Sequence, residues 1–321
     1  MKKYISYKNI FPHTSTARYN VAAWQESSTG NLTLIGRNVT KAGGKNEPDI
    51  GSLMLSEFDR EGQLIAEHEV WKPSSENFSL EDPRAIVGQD GIITIGLTAV
   101  FFSNGEVETY PALVKVDSNW KKKLPTVTVI KDFGQGKNMT PLGHDFFVFR
   151  PSEQKYNHKL LMFKIGEERA EKITDLIFSK ELPWAEWRIG TAMPPIWQKD
   201  GSAIFFIHGI SIEEGKYIYS IGLSKIFPKN GTYVTAVCPE PILTPKTFTD
   251  GEGKALIEEL RPEERKVVYA CGGIIDQKNP EHLKLYVNVG DRATFEVVFE
   301  MKEILNELNN SNLVFAEDNN K

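Results

Sequence analysis

The chain has 321 residues, long enough to bury a sizeable core either as two ordinary domains or as one large all-β domain. Lys+Arg number 38 against 43 Asp+Glu, and the net charge of -5 has the wrong sign for neutralising nucleic-acid phosphates or lying on an anionic membrane. Only Cys238 and Cys271 occur, which excludes a disulfide framework and a Cys-x-x-Cys metal pair.

In chain order, the start "MKKYISYKNIFPHTS" is basic but lacks an apolar h-region, and no later segment reaches the ~18 uncharged apolar residues of a membrane span. The expectation is a soluble, unexported, cytoplasmic protein. Short apolar or alternating runs then end on a polar residue: "LTLIGR" at Arg37, "IITIGLTAV" near Thr98, "DFFVFR" at Arg150, "AIFFIHG" at His208 and "KLYVNVGD" at Asp291. A second strand-like run follows each one, beginning at Gly51, Tyr110, Lys159, Tyr217 and Thr294. Two markers that move in step indicate one unit used five times. Each unit holds short strands rich in Val, Ile, Phe and Tyr, separated by turn signals such as "DREGQ", "QDG" and "KDG". The pattern predicts an all-β fold, a five-bladed β-propeller forming a single domain over residues 1–308, with a short helix from about Met301 to Leu308 and a tail over 309–321 that frays or packs as a terminal arm. Residues 247–266 read as helix-forming or as a loop excursion. A two-domain α/β protein is the alternative, but amphipathic helical stretches between the strands are missing.

Residues at equivalent strand ends of a propeller converge on one mouth, which draws attention to Arg37, Arg150, His208 and Asp291. The segment Glu81-Asp82-Pro83-Arg84 precedes another such strand: Pro83 biases Asp82 toward extended geometry and aims its carboxylate, and Arg84 can hold an acid or a bound anion at the same mouth. The same tetrapeptide also fits an Asp-Pro turn with a surface ion pair. "GQGKNMTPL" fails the phosphate-loop pattern, because Lys131 stands where glycine is needed and Asn138 where Ser or Thr is needed. Lys137 and Asn138 stay candidates for contact with sugar hydroxyls or an anion, or belong to a solvated turn. In "WAEWRIGTAMPPIWQKDGSAIFFIHGI", Trp184, Trp187 and Trp197 offer faces for a pyranose ring or for blade packing, and Arg188 and His208 bring donors suited to phosphate or hydroxyl oxygens.

Taken in order, "EDPR" before a strand, "KN" and "P", "FRP", "W-x-I-G-x-x-x-P-P-I" leading to "HGI", "CGGII" and "YVNVGD" resemble glycoside hydrolase family 130, the five-bladed β-mannoside phosphorylases and related mannosidases. The matches run from about Asn20 to Asp291. The resemblance implies that Asp82 is the general acid, protonating the leaving oxygen through the sugar's own 3-hydroxyl while phosphate attacks the anomeric carbon from the opposite face with inversion. It implies Arg150, Arg188 and His208 as phosphate ligands, with Arg188 standing where the family commonly shows lysine. Asn20 and Arg37 match positions lining the mannose site, and Asp291 matches an aspartate in a segment that here reads "VNVGD". The implied co-substrates are an oligosaccharide and inorganic phosphate, with no cofactor or metal, and a homo-oligomer is allowed.

One acid beside several cations fits phosphorolysis, since phosphate needs a cationic clamp rather than a base. Two features leave hydrolysis open: a further arginine usual in the phosphorylases has no clear match between Arg150 and Arg188, and Glu186 is a carboxylate near Arg188 that reads either as a base or as its surface partner. A non-catalytic carbohydrate-binding propeller is the reading from another class. A five-bladed arabinosidase or invertase type needs acids spread over the blades and fits these cationic positions less well. The loop "NVTKAGGKNEPDIG", residues 38–51, is expected to set linkage and acceptor preference.

Overall fold

The structure, a computed structural model, describes residues 4–12, 14–43, 49–117, 120, 123–143, 145–152, 158–166, 169–229, 232–310 and 312–315. Residues 44–48 of the expected specificity loop, and the tail from 316 onward, lie outside the described residues.

After a short strand β1 (Ser6–Asn9), the chain forms a first sheet from β2 (Ala17–Gln25), β3 (Leu32–Lys41), β4 (Ile50–Phe58) and β5 (Leu64–Trp71). The second comprises β6 (Phe78–Val87), β7 (Ile93–Ser103), β8 (Glu106–Val116) and β9 (Thr128–Val129). The third comprises β10 (Gly136–Gly143), β11 (Phe146–Pro151), β12 (Lys159–Ile165) and β13 (Ala170–Ile177). The fourth sheet has seven strands: β14 (Arg188–Thr191), β15 (Ile196–Trp197), β16 (Ala203–Glu213), β17 (Lys216–Lys229), β18 (Thr232–Val237), β19 (Arg265–Lys266) and, from the C-terminal end, β23 (Val314–Phe315). The last joins β20 (Val268–Ile275), β21 (His282–Val289) and β22 (Ala293–Glu300) to β1, so the N-terminal strand completes the sheet made by the end of the chain. Helix α1 (Met301–Asn310) follows β22 and buries Ile304 and Leu308.

This is an all-β propeller arrangement. Four sheets have the expected four strands, and the remaining one carries seven. The described part of the tail packs as a strand, because Val314 and Phe315 pair with Val237 and Ala236 of β18. Residues 247–266 form the loop excursion and not a helix: a single turn at Pro245–Phe248 leads through the Thr249–Ala255 bridge to β19. We call residues 245–266 the strap.

One expectation needs correction. The runs that end at Arg37, Thr98, Arg150, His208 and Asp291 are the second strands of their sheets and not the innermost ones. Second strands are covered on both faces, so they read as continuous apolar runs; "AIFFIHGIS" in β16 is buried throughout. The innermost strands β2, β6, β10, β14 and β20 crowd together, β2 against β20 and β6, and β10 against β6 and β14. Their sequences mix small and polar residues, as in "NVAA", "DPRA", "NMTP" and "RIGT", and so carry little strand signal. Segment 78–87 is accordingly a strand through Asp82 and Pro83, with its register broken between Glu81 and Arg84, and not a loop that ends before one.

Candidate active site

The register breaks place the site. The innermost strand slips between Tyr19 and Ala22, between Glu81 and Arg84, and between Lys137 and Thr140. Inside each slip one residue adopts the left-handed conformation: Asn20 (φ 53), Asp82 (φ 53) and Asn138 (φ 61). A bulge inserts an unpaired residue and re-aims its side chain, and Asn and Asp tolerate this backbone better than other non-glycine types. Three consecutive sheets therefore use one device to turn one polar side chain toward the axis. Asp82 is the acidic member of an Asn, Asp, Asn set. A fourth residue, Asp291 (φ 53), follows Gly290 (φ 69) in the tight turn between β21 and β22. These four are the left-handed non-glycine residues that line the cleft, and local strain gathered at one place marks it as functional.

The cleft has a volume of about 460 Å³, and nine of the ten expected site residues line it. The first sheet contributes Asn20 and Arg37, together with Asp49. The second contributes Asp82 and Glu81, with Phe102 and Val107 from the β7–β8 hairpin. From the third come Lys137, Asn138 and Arg150; from the fourth, Arg188, His208 and Tyr219. Tyr269 and Asp291 belong to the last sheet, and Arg261, Glu264 and Arg265 reach in from the strap.

Arg84 departs from expectation. It is fully buried and does not line the cleft. Its guanidinium donates to the Asp82 carbonyl at 2.9 Å, to the Thr191 carbonyl at 2.9 Å and to the Tyr269 hydroxyl. Burial opposes its charge, but Cys271, Tyr269 and Asp82 outweigh that and raise its pKa further. It is a buried brace under Asp82, not a residue of the mouth. The three tryptophans also lie elsewhere. Trp184 packs over Gly209 and Gly222, Trp187 contacts Tyr217 and Arg188, and exposed Trp197 donates to the Leu142 carbonyl. Glu186 is exposed, accepts from the Ile212 amide and lines a different cleft, so it is no base for this site.

Asp82 is fixed from two sides. Asn20 Nδ2 donates to Oδ1 at 2.6 Å, and the Tyr269 hydroxyl donates to Oδ2 at 3.3 Å. Asn288 Nδ2 in turn donates to Asn20 Oδ1 at 2.9 Å and to Asp291 Oδ1 at 2.7 Å, which ties the first and last sheets together. Arg37 is held between Asp49 (2.8 Å) and Glu81 (2.9 Å), over the Tyr19 ring. Burial would raise the Asp49 carboxyl, but Arg37, the Gly43 amide and Arg261 hold it below the usual carboxylate range.

His208 reaches the cleft because its partner on β14 is Gly190, where a Cβ would stand 2.3 Å from the imidazole and 2.6 Å from Asn138 Oδ1. The Nδ1–H donates to the Thr191 carbonyl at 3.1 Å, leaving Nε2 facing Arg150 at 3.5 Å. Burial, then Arg150 and Arg84, hold the imidazole well below its ordinary pKa, so it is neutral. Arg150 itself is pulled below its usual value by burial and by Arg188. Among the described residues Lys137, Arg150 and Arg188 have no carboxylate partner.

Tyr269, Tyr219, Asp49, Glu264, Arg261 and Arg265 were not among the expected site residues, and Glu81 entered only as a member of its tetrapeptide. The Asn, Asp, Asn recurrence at positions 20, 82 and 138 was available as a signal, as was the charged cluster "RPEER" inside the strap. For Tyr269 there was none, since one tyrosine in an apolar run looks like core.

The model of the family glycoside hydrolase 130, described as β-1,4-mannooligosaccharide phosphorylase, matches residues 144–310, just over half of the chain. The chain belongs to glycoside hydrolase family 130. The matched segment of this family-130 chain contains Arg150, Arg188, His208 and Asp291, while Asn20, Arg37, Asp82 and Lys137 precede it. No curated relative matches it by sequence. Among solved structures it is similar to a β-1,2-mannobiose phosphorylase from Listeria innocua, at 15% identity over 94% of this chain and 95% of that one, with a TM-score of 0.63. A mannose phosphorylase from Leishmania mexicana, solved with phosphate ion, aligns at 13% identity and TM-score 0.54 over 93% and 87% of the two chains. A family-130 structure reported with glycoside hydrolases that target β-1,2-mannosidic linkages in Candida mannan aligns at 11% identity and TM-score 0.56 over 90% and 85%. At these identities the likeness concerns the fold. Family 130 holds both phosphorylases and hydrolases. No helix among the described residues is long and apolar enough to cross a membrane.

Proposed function

We propose that this chain is an inverting β-mannoside phosphorylase that releases α-mannose 1-phosphate, acting as one catalytic unit over residues 1–308 with the seven-stranded sheet as the fourth of five blades. The observation that carries the reading is the polarity of the cleft. The strands β10, β11, β14 and β16 of the third and fourth sheets line it with Lys137, Arg150, Arg188 and His208 and contribute no carboxylate, while Glu81, Asp82, Asp49 and Asp291 come from the other three sheets and Glu264 from the strap. Arginine and lysine without carboxylate partners form a ready clamp for a dianion.

In this mechanism Asp82 delivers a proton, through the sugar 3-hydroxyl, to the leaving glycosidic oxygen as the bond to the anomeric carbon breaks. A phosphate oxygen held by Arg150 and Arg188 forms the new bond from the opposite face. Monohydrogen phosphate brings one O–H, which the neutral His208 Nε2 can accept; that proton leaves the ester as it forms and restores Asp82, so the balance closes. Asn20, Arg37, Asn138 and Asp291 face the sugar hydroxyls. The protein works in the cytoplasm, where a phosphorylated sugar is retained, and needs no cofactor.

Hydrolysis is the second reading, favoured by one observation: exposed Glu264 lines the cleft rim and forms no ion pair among the described residues. The test incubates the protein with β-1,2- and β-1,4-linked mannosides, with and without phosphate, and follows mannose 1-phosphate and free mannose. Phosphate-dependent mannose 1-phosphate, reduced by about 10³ in Asp82→Asn, is expected. Free mannose formed without phosphate and lost in Glu264→Gln would overturn phosphorolysis in favour of hydrolysis.

A further inference from the structure

The Tyr269 hydroxyl stands among four polar groups, Arg84, Asn138, Asp82 and Cys271, and counting protons decides what it does there. A phenol carries one hydrogen and two lone pairs. Arg84 donates to its oxygen, and so does Asn138 Nδ2 at 2.7 Å. An arginine has no acceptor and the Cys271 sulfur, also within reach, is a weak one, so with both lone pairs used the phenol hydrogen is directed to the charged acceptor beside it. That acceptor is Asp82 Oδ2, 3.3 Å away. The other oxygen of Asp82 already accepts from Asn20, whose amide is oriented by the Asn288 donor behind it. Both carboxylate oxygens therefore face donors.

The phenol is well placed to keep its proton. Tyr269 is almost fully buried, with the His208 ring edge-on at 4.5 Å. Burial, and then the charge of Asp82, raise its pKa well above 10 against the lowering effect of Arg84. It is a fixed donor over the whole working pH range.

We infer that Tyr269 is the positioning residue of Asp82: it carries the influence of buried Arg84 to the carboxylate and, with Asn20 on the other oxygen, holds it in one rotamer. A general acid acts only from within hydrogen-bond reach of the oxygen it protonates, so a carboxyl group held in one direction beforehand loses less on the way to the transition state. The inference rests on Asp82 being the acid of the proposed reaction. The titratable and charged groups around Asp82 are Arg37 from β3, Glu81 and Arg84 from β6, and Tyr269 and Cys271 from β20. Only Tyr269 among them donates to the carboxylate itself.

Tyr269→Phe deletes the donor and keeps the ring. Carboxyl carbon resonances of aspartate-labelled protein, with Asp82 assigned by its loss in Asp82→Asn, report the surroundings of the carboxylate at one pH without any substrate. In Tyr269→Phe the Asp82 resonance is expected to move and broaden as the carboxylate loses one of its two donors and samples a second rotamer. In the phosphorolysis assay kcat should fall about tenfold with KM for the mannoside little changed, the mark of lost alignment in the transition state; a tyrosine that merely filled space would leave the resonance in place. An unchanged Asp82 resonance would overturn the inference. If the Phe variant fails to fold, 3-fluorotyrosine at position 269, an almost isosteric and stronger donor, should move the Asp82 resonance with kcat kept, and an unchanged resonance would equally overturn it. Wild-type protein inert on every mannoside, but with the resonance changes present, would sink the phosphorylase reading and leave the Tyr269 inference standing.

Discussion

At the residue scale, the cleft works by giving polar side chains unequal surroundings. Asp82 meets donors on both oxygens, whereas the Lys137, Arg150 and Arg188 side chains meet no acid among the described residues. His208 is the member whose state can be read through pH. Its folded pKa lies below 6.5 through burial and through Arg150 and Arg84, while an unfolded histidine takes up a proton near 6.5. Below 6.5 the unfolded chain then holds more protons than the folded one, so stability falls as pH drops through that value. Urea unfolding at pH 7.5 and pH 5.5 should show His208→Gln losing less stability than wild type, by up to about 1.4 kcal/mol per pH unit over the window. An identical loss in both proteins would mean that His208 is protonated in the fold.

At the element scale, the strap is the unit that lacks a counterpart in the other sheets. Arg261 donates to Asp49 of the first sheet and Arg265 pairs with Asp291 at 3.2 Å, so both ends of the ring are fastened through it. Glu259, also in the strap, accepts the Val267 amide at 2.9 Å through Oε1, while its buried Oε2 has no partner. Burial, with Asp291 nearby, pushes its carboxyl up to about 7, against an ordinary value of 4.5. Here the sign is opposite to that of His208: the folded state holds the extra proton between 4.5 and 7, so stability contributed by the protonated form is present at the acid end and lost as pH rises toward and past 7. Glu259→Gln keeps the Oε1 contact and removes the titration. Thermal melts at pH 6 and pH 8 should show the variant losing less stability than wild type between the two, and protease cleavage within 245–266 at pH 8 should slow. A variant with the wild-type pH slope would show that Glu259 is ionised throughout.

At the scale of the whole molecule, ring closure depends on β1. It pairs with β22 from Ser6–Val298 to Asn9–Phe295, and Tyr7 packs against Phe248 and Phe295. Removing residues 1–10 exposes the β22 edge and the apolar side chains beneath Tyr7, a cost of roughly 3 kcal/mol from buried apolar area. The melting temperature should fall by about 4 to 5 °C, with concentration-dependent aggregation from the open edge. An unchanged melt would mean that the last sheet is stable with three strands.

The sequence by itself determined the class of the fold and half the cast of the site. Turn signals and continuous apolar runs are local, and a strand covered on both faces must be apolar along its length, so β3, β7, β11, β16 and β21 were legible. Ordered motifs pointed to Asp82, Arg150, Arg188 and His208. What the sequence left open was decided by crowding near the axis. There the innermost strands use small and polar residues and register slips, none of which raises a strand signal, so their side chains could be placed only when all sheets were assembled. Arg84 looked available to a ligand and proved to be a buried brace; Tyr269 looked like core and proved to touch Asp82. Glu186 sat two residues from Arg188 in the chain and faces another cleft. The physical reason is the same in each case. Side-chain direction in a strand alternates with every residue and reverses at every bulge, and the bulges are set by contacts between sheets far apart in the sequence.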